Sequence, residues 1–215
     1  MLFAISNLNK NIKESIKQIN KTDVDYLHVD VMDGKFVPNK TYTVNDIKTM
    51  NDLSTKPLDV HLMVSNPLKY LEKIAFFNIA YVTFHLEAVK DPNHIINEIK
   101  ATGLKVGISI KPNTDIDLLI PYLDQIDQIL LMSVEPGEGG QEFLKGSTER
   151  LKKLKELTKN KFIIIAVDGG INNETIVYVK EADMAIIGSY VTNSSNYNEQ
   201  INNLKRAIAG SNSTD

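Results

Sequence analysis

The sequence predicts a single α/β domain: a (β/α)8 TIM barrel with a parallel eight-stranded core. Eight short apolar runs alternate with segments of helical period from end to end, which implies a βα repeat and a parallel sheet. The 215 residues leave about 27 per unit, near the lower limit for an eight-stranded barrel. An open doubly wound sheet is the alternative, but it normally uses fewer units. Its glycine-rich fingerprint after the first strand is also missing.

Leu2–Ser6 is the first expected strand. Ile12, Ile16 and Ile19 follow at i, i+4 and i+7 on one helical face. Tyr26–Val31 is the second strand, and the segment around Ile47 carries the weakest helical pattern of the chain. Leu58–Met63 is the third strand. Asn66 and Pro67 then supply a cap and a first helical residue, with Leu68, Leu71, Ile74 and Ala75 along one face. After the fourth strand, Tyr81–His85, Asp91 and Pro92 repeat that device, and Gly103 marks the stop. Lys105–Ile110 and Gln128–Val134 are strands five and six. Leu151 and Leu154 mark the next helix, whose run "ERLKKLKELTKNK" reads as a solvated face. Phe162–Val167 and Met184–Gly188 complete the strands, and Ile201, Leu204 and Ile208 mark the last helix. The barrel is expected over residues 1–208 and a disordered polar tail over 209–215.

Composition narrows the function classes. Net charge is −3 with no basic block, which argues against nucleic acid as a partner. Cysteine is absent, excluding disulfides, thiolate metal sites and a cysteine nucleophile. No apolar run reaches about 18 residues, so no membrane helix is expected. "MLFAISNLNKN" lacks the charged and apolar regions of a signal peptide, and the expected location is the cytoplasm. The sequon at Asn39 is then a chance match.

Strand alternation locates the chemistry. In strand two Leu27, Val29 and Val31 point one way, and His28, Asp30 and Met32 the other. With the apolar set facing helices, His28 and Asp30 point into the barrel, where unpaired burial would cost several kcal/mol. Asp59, His61 and Met63 share one face of strand three, and Asp168 ends strand seven. His28, Asp30, His61 and Asp168 therefore converge at the C-terminal ends of three strands, the end that carries active sites in such barrels. Imidazole with carboxylate suits one divalent ion per subunit: Zn, Fe(II), Mn or Co. Taken singly, each residue is more simply a hydrogen-bonded core histidine or a turn aspartate.

Three adjacent loops are rich in glycine: Gly137, Glu138, Gly139 and Gly140 after strand six, Gly169 and Gly170 after seven, and Gly188 and Ser189 after eight. Backbone N–H groups there can approach an anion, and a phosphate site at this place is frequent in βα barrels. Met32, Met63 and Met132 are expected to face inward as a soft cover for a planar intermediate, with core filling an equal alternative for each. His85, Glu87 and Lys111 are expected as satisfied core or supporting groups near the site, and His94 as a solvated helix residue.

"HVDVMDGKFVPN", "DVHLMVSNP", "VTFHLEA", "LLMSVEPGEGGQEF", "VDGGIN" and "ADMAIIGS" resemble ribulose-phosphate 3-epimerases in order and spacing, from about Tyr26 to Val191. The resemblance implies a metal-dependent barrel that interconverts ribulose 5-phosphate and xylulose 5-phosphate, and a dimer or hexamer. It implies that His28, Asp30, His61 and Asp168 hold the metal, which would neutralise the enediolate oxygens. Asp30 and Asp168 would double as acid and base on opposite faces of C3. His61 would also touch substrate, and the three glycine loops would hold the phosphate. Family members usually open with "APSILSAD", whose first serine meets substrate. Here Ser6 takes that place only with a shifted alignment, and Glu138 replaces an aromatic in the loop after strand six. "PNKTYTVND" also departs from the usual second loop. These departures keep open another ketose phosphate such as allulose 6-phosphate, and a non-catalytic sugar-phosphate-binding barrel. A phosphate-binding barrel decarboxylase would be expected to use a lysine beside its strand aspartates. No lysine stands at His28, His61 or Met32.

Overall fold

The computed structural model describes residues 1–7 and 11–211. Eight strands, β1 (Leu2–Ser6), β2 (Tyr26–Met32), β3 (Leu58–Met63), β4 (Ile79–His85), β5 (Lys105–Ile110), β6 (Gln128–Met132), β7 (Ile164–Asp168) and β8 (Met184–Ile187), close into a parallel barrel in sequence order. β1 closes the ring on β8, with Ala4 opposite Ile186. This is the expected TIM barrel.

The helices are α1 (Ile12–Asn20), α2 (Val44–Leu53), α3 (Pro67–Ile74), α4 (Pro92–Ala101), α5 (Ser147–Thr158), the short α6 (Ser189–Thr192) and α7 (Tyr197–Ser211). Segments of 3₁₀ helix at Ile116–Tyr122 and Ile176–Val179 take the helix places after β5 and β7. Asn66 and Asp91 cap α3 and α4 from their side chains, each followed by proline, as their sequences require. α2, faint in its apolar pattern, is held by a capping box: the Thr43 hydroxyl accepts the Asp46 N–H, and Asp46 accepts the Thr43 N–H.

Several expected boundaries move: β2 gains Met32, β4 begins two residues earlier at Ile79, β8 ends at Ile187, and β6, β7 and the last helix shift as well. β6 stops at Met132, after which the Ser133 N–H makes the last bond to β7, at the Asp168 carbonyl. β7 begins at Ile164, whose N–H makes the first bond of the strand with the Asp127 carbonyl. Phe162, expected inside the strand, is fully exposed. α7 runs to Ser211, three residues beyond the expected end of the domain. The rest of the expected tail, 212–215, lies outside the described residues.

The main core lies between barrel and helices. Val29, Val60, Val82, Ile108, Ile129 and Ile165 are fully buried there with Ile16, Ile47, Ile74 and Leu154 from the helices. The inward faces are more polar: His28, Asp59, His61, Thr83, His85, Ser109 and Gln128 are all buried. At the N-terminal end of the barrel an aspartate precedes β2, β6 and β8. Asp25, Asp127 and Asp183 accept the N–H groups of Phe3, Val106 and Ile165 on the preceding strands, at 2.8, 2.9 and 2.8 Å. Among the described residues no helix is long and apolar enough to cross a membrane.

Candidate active site

Register brings the site together. β2 and β3 pair with Asp30 opposite His61 and His28 opposite Asp59, so four polar side chains enter the barrel side by side. Asp168, at the end of β7, reaches the same point: its Oδ2 lies 3.7 Å from His28 Nε2 and 4.0 Å from His61 Nδ1. Asp30 Oδ1 lies 3.1 Å from His28 Nε2 and 2.9 Å from His61 Nδ1. One ligand atom from each of His28, Asp30, His61 and Asp168 falls within 4.8 Å of every other. This group can hold a metal ion.

Burial and charge push these groups apart. Burial drives the Asp168 carboxyl up, and the negative Asp30 adds to it, bringing it to about 7. Burial alone would raise Asp30 too, but His28 and His61 override it and hold Asp30 well below the carboxylate range. Burial alone would lower His28, but Asp30 and Asp59 raise it well above its ordinary value.

A cleft of about 840 Å³ opens above this group. Ser6, Asp30 and Asp168 form part of its floor, with Met32, Met63 and Met132 around them. Ser6 lies at the end of β1, where its hydroxyl donates to Asp30 Oδ2 at 2.5 Å. His28 and His61 sit beneath the floor, fully enclosed. The glycine loops form the wall on the β6–β8 side: Gly137, Glu138, Gly139, Gly140, Gly169, Gly170, Gly188 and Ser189 all line the cleft. Gly170 has φ +65°, and a side chain there would meet the Phe143 backbone at 2.5 Å. Asn39 Nδ2 donates to the Gly137 carbonyl at 2.7 Å and so ties the loop after β2 to the loop after β6. Glu138 is exposed at the rim.

Sequence reasoning placed Asp59 on the face of His61 but gave it no role. In the structure Asp59 Oδ2 lies 2.7 Å from His28 Nδ1. His85 does not line the cleft; it is buried behind His61, against the Phe36 ring at 4.8 Å. Lys111 Nζ sits 4.8 Å from that ring, and His94 is on an exposed helix face. Asn172, Thr175, Tyr190 and Asn193 also line the cleft and were not singled out. Their only sequence signal is position, just after β7 and β8.

The profile of the ribulose-phosphate 3 epimerase family matches residues 3–192. The chain belongs to this family. Ribulose-phosphate 3-epimerase of Helicobacter pylori is 36% identical over 217 residues, covering 97% of this chain and 100% of that protein. The Methanocaldococcus jannaschii protein of the same name is 37% identical, covering 92% and 85%. The Bacillus subtilis one is 34% identical, covering 88% and 90%. Among solved structures, 3-hexulose-6-phosphate synthase from Salmonella typhimurium superposes with TM-score 0.70 at 18% identity, covering 98% of this chain and 100% of that one. N-(5'-phosphoribosyl)anthranilate isomerase from Pyrococcus furiosus gives 0.65 at 15%, covering 98% and 99%. These two likenesses are of fold. The epimerase family assignment rests on the profile and the sequence relatives.

Proposed function

We propose that the protein is a metal-dependent 3-epimerase interconverting D-ribulose 5-phosphate and D-xylulose 5-phosphate. The observation that carries this is the pair Asp30 and Asp168, two carboxylates that meet at the floor of one cleft within a group able to hold a metal ion. Inverting C3 needs a proton taken from one face of the carbon and another delivered to the opposite face. Asp30, held ionised by its histidines, takes a proton. Asp168 gives one, and the roles exchange in the reverse direction. Ser6 is assigned to the substrate; His61, expected to touch it as well, is enclosed beneath the floor with both ring nitrogens engaged and is assigned to the metal alone. Met32, Met63 and Met132 exclude water from the reacting carbon. Backbone N–H groups of the loops at Gly137–Gly140, Gly169–Gly170 and Gly188–Ser189 hold the phosphate end.

The donors fit a divalent ion, Zn, Fe(II), Mn or Co. Two imidazoles and two carboxylates converge, and the rear nitrogen of each imidazole is engaged by another side chain. His28, Asp30, His61 and Asp168 would hold it, and when bound it supplies positive charge for the oxygens that become negative as the C–H bond breaks. The cleft floor is closed by these residues, so the sugar enters from the loop side. The cytoplasm and a homo-oligomer, dimer or hexamer, belong to the same proposal.

The test is ribulose 5-phosphate followed by NMR in D2O with metal-loaded protein. Deuterium at C3 together with xylulose 5-phosphate is the expected result. No exchange from protein that has bound metal would overturn the substrate assignment, and allulose 6-phosphate is the next compound to try. Asp168→Asn should lower turnover about 100-fold or more. An unchanged rate would remove Asp168 from the acid–base pair.

A further inference from the structure

We propose that His85, held in turn by Glu87, is a positioning residue that fixes which ring nitrogen of His61 faces the metal site. The inference rests on the metal-binding assignment above. Its basis is a chain of side chains running outward from the site. His61 Nε2 lies 2.8 Å from His85 Nε2, and His85 Nδ1 lies 3.0 Å from Glu87 Oε2. Glu87 is fixed at its other oxygen, which accepts the Lys111 N–H at 2.6 Å and the Thr114 hydroxyl at 2.5 Å.

Donor and acceptor accounting decides the tautomers. A carboxylate only accepts, so His85 Nδ1 carries the hydrogen that faces Glu87. The contact between the two Nε2 atoms holds one proton. If it sits on His85, that ring is a buried cation, and His61 must turn an N–H toward Asp30. If it sits on His61, both rings are neutral, and His61 Nδ1 presents a lone pair toward Asp30 and Asp168. Only the second arrangement completes a four-donor set. Asp59 does the equivalent for His28: it engages Nδ1 at 2.7 Å and leaves Nε2 for the site. The two ligand histidines thus face the site through different nitrogens. His28 is locked by one carboxylate directly, and His61 by a carboxylate acting through a second imidazole.

The experiment measures Zn²⁺ affinity by chelator competition for wild type, His85→Phe, His85→Gln, Glu87→Gln and His94→Phe, with the unfolding midpoint of each. Imidazole ¹⁵N NMR on the Zn²⁺-loaded wild type reads the tautomers directly, since the chain has only 4 histidines. His85→Phe keeps a ring against Phe36 but removes the acceptor, and should weaken Zn²⁺ binding about 10–100-fold. His85→Gln restores a carbonyl acceptor and should recover most of that loss. His94→Phe should change nothing, and His61 should appear protonated at Nε2 and coordinated at Nδ1. Wild-type affinity in folded His85→Phe, an equal loss in His85→Gln, or His61 coordinated through Nε2 would each overturn the proposal. If His85→Phe does not fold, Glu87→Gln decides: a loss of affinity at unchanged midpoint supports the lock, and none overturns it. Absence of Zn²⁺ binding by wild type would overturn the metal assignment itself, and this inference with it.

Discussion

Asp168 shows how burying one carboxyl makes stability depend on pH. Its pKa of about 7 in the metal-free fold lies above its unfolded value of 3.8, so the folded chain binds the extra proton between those limits. The associated stability is fully present below 3.8 and is lost as pH rises through about 7. His28, also raised, acts in the same direction. Metal-free protein should therefore melt at lower temperature at pH 8 than at pH 6, and Asp168→Asn should flatten that slope in a thermal-melt series. A metal ion held by Asp168 would compete with the same proton. Apparent metal affinity should fall about tenfold per pH unit below 7 from Asp168 alone, which chelator competition at stepped pH will read. The sequence made Asp168 and its three partners legible because strand alternation is strict and puts the polar residues of β2 and β3 on one inward face. It could not show that His85 stands behind His61. That contact depends on the pairing of His61 with Thr83 across β3 and β4, which a linear pattern does not contain.

At the scale of elements, boundaries were readable where a cap or a proline marks them, as at Asn66 and Asp91, and less so elsewhere. α2 was faint because only Ile47 and Met50 are buried along it, while its real signal was the Thr43–Asp46 box. Phe162 extended β7 falsely because an apolar residue beside a strand looks like part of it, although its side chain lies in solvent. The aspartates before β2, β6 and β8 act on strand ends in the same way that caps act on helices. Each satisfies an N–H at the barrel's closed end that would otherwise need water. Asp127→Ala should lower stability by about 1–2 kcal/mol in urea unfolding, as expected for a hydrogen bond to a charged acceptor partly open to solvent. Turnover should be unchanged, since Asp127 lies at the end of the barrel opposite the cleft.

Across the whole molecule, the barrel interior is filled by matching large and small residues around the ring. Gly107 makes room for its neighbours: a Cβ there would fall 2.2 Å from Thr83 Oγ1 and 3.2 Å from Gln128 Cβ. Thr83 cannot easily yield, because its hydroxyl donates to Gln128 Oε1. Gly107→Ala should cost about 1–3 kcal/mol by overpacking. Adding Thr83→Ala should recover part of it, a coupling that a double-mutant cycle measures. No sequence pattern identifies this glycine as a spacer rather than a turn, since the reason is a residue two dozen positions away on the adjoining strand.

The tie from Asn39 to the Gly137 carbonyl has a consequence for motion. The two loops it joins are 98 positions apart in sequence, yet neither can swing away without breaking that bond and lifting Val37 from Gly137. Breathing of the cleft mouth must therefore be a concerted event, with one opening free energy shared by residues 33–40 and 135–141. Native-state hydrogen exchange should show both segments opening with the same denaturant dependence, and Asn39→Ala should split them into two independent rates. If so, a single asparagine side chain couples the motion of two loops on opposite sides of the cleft mouth.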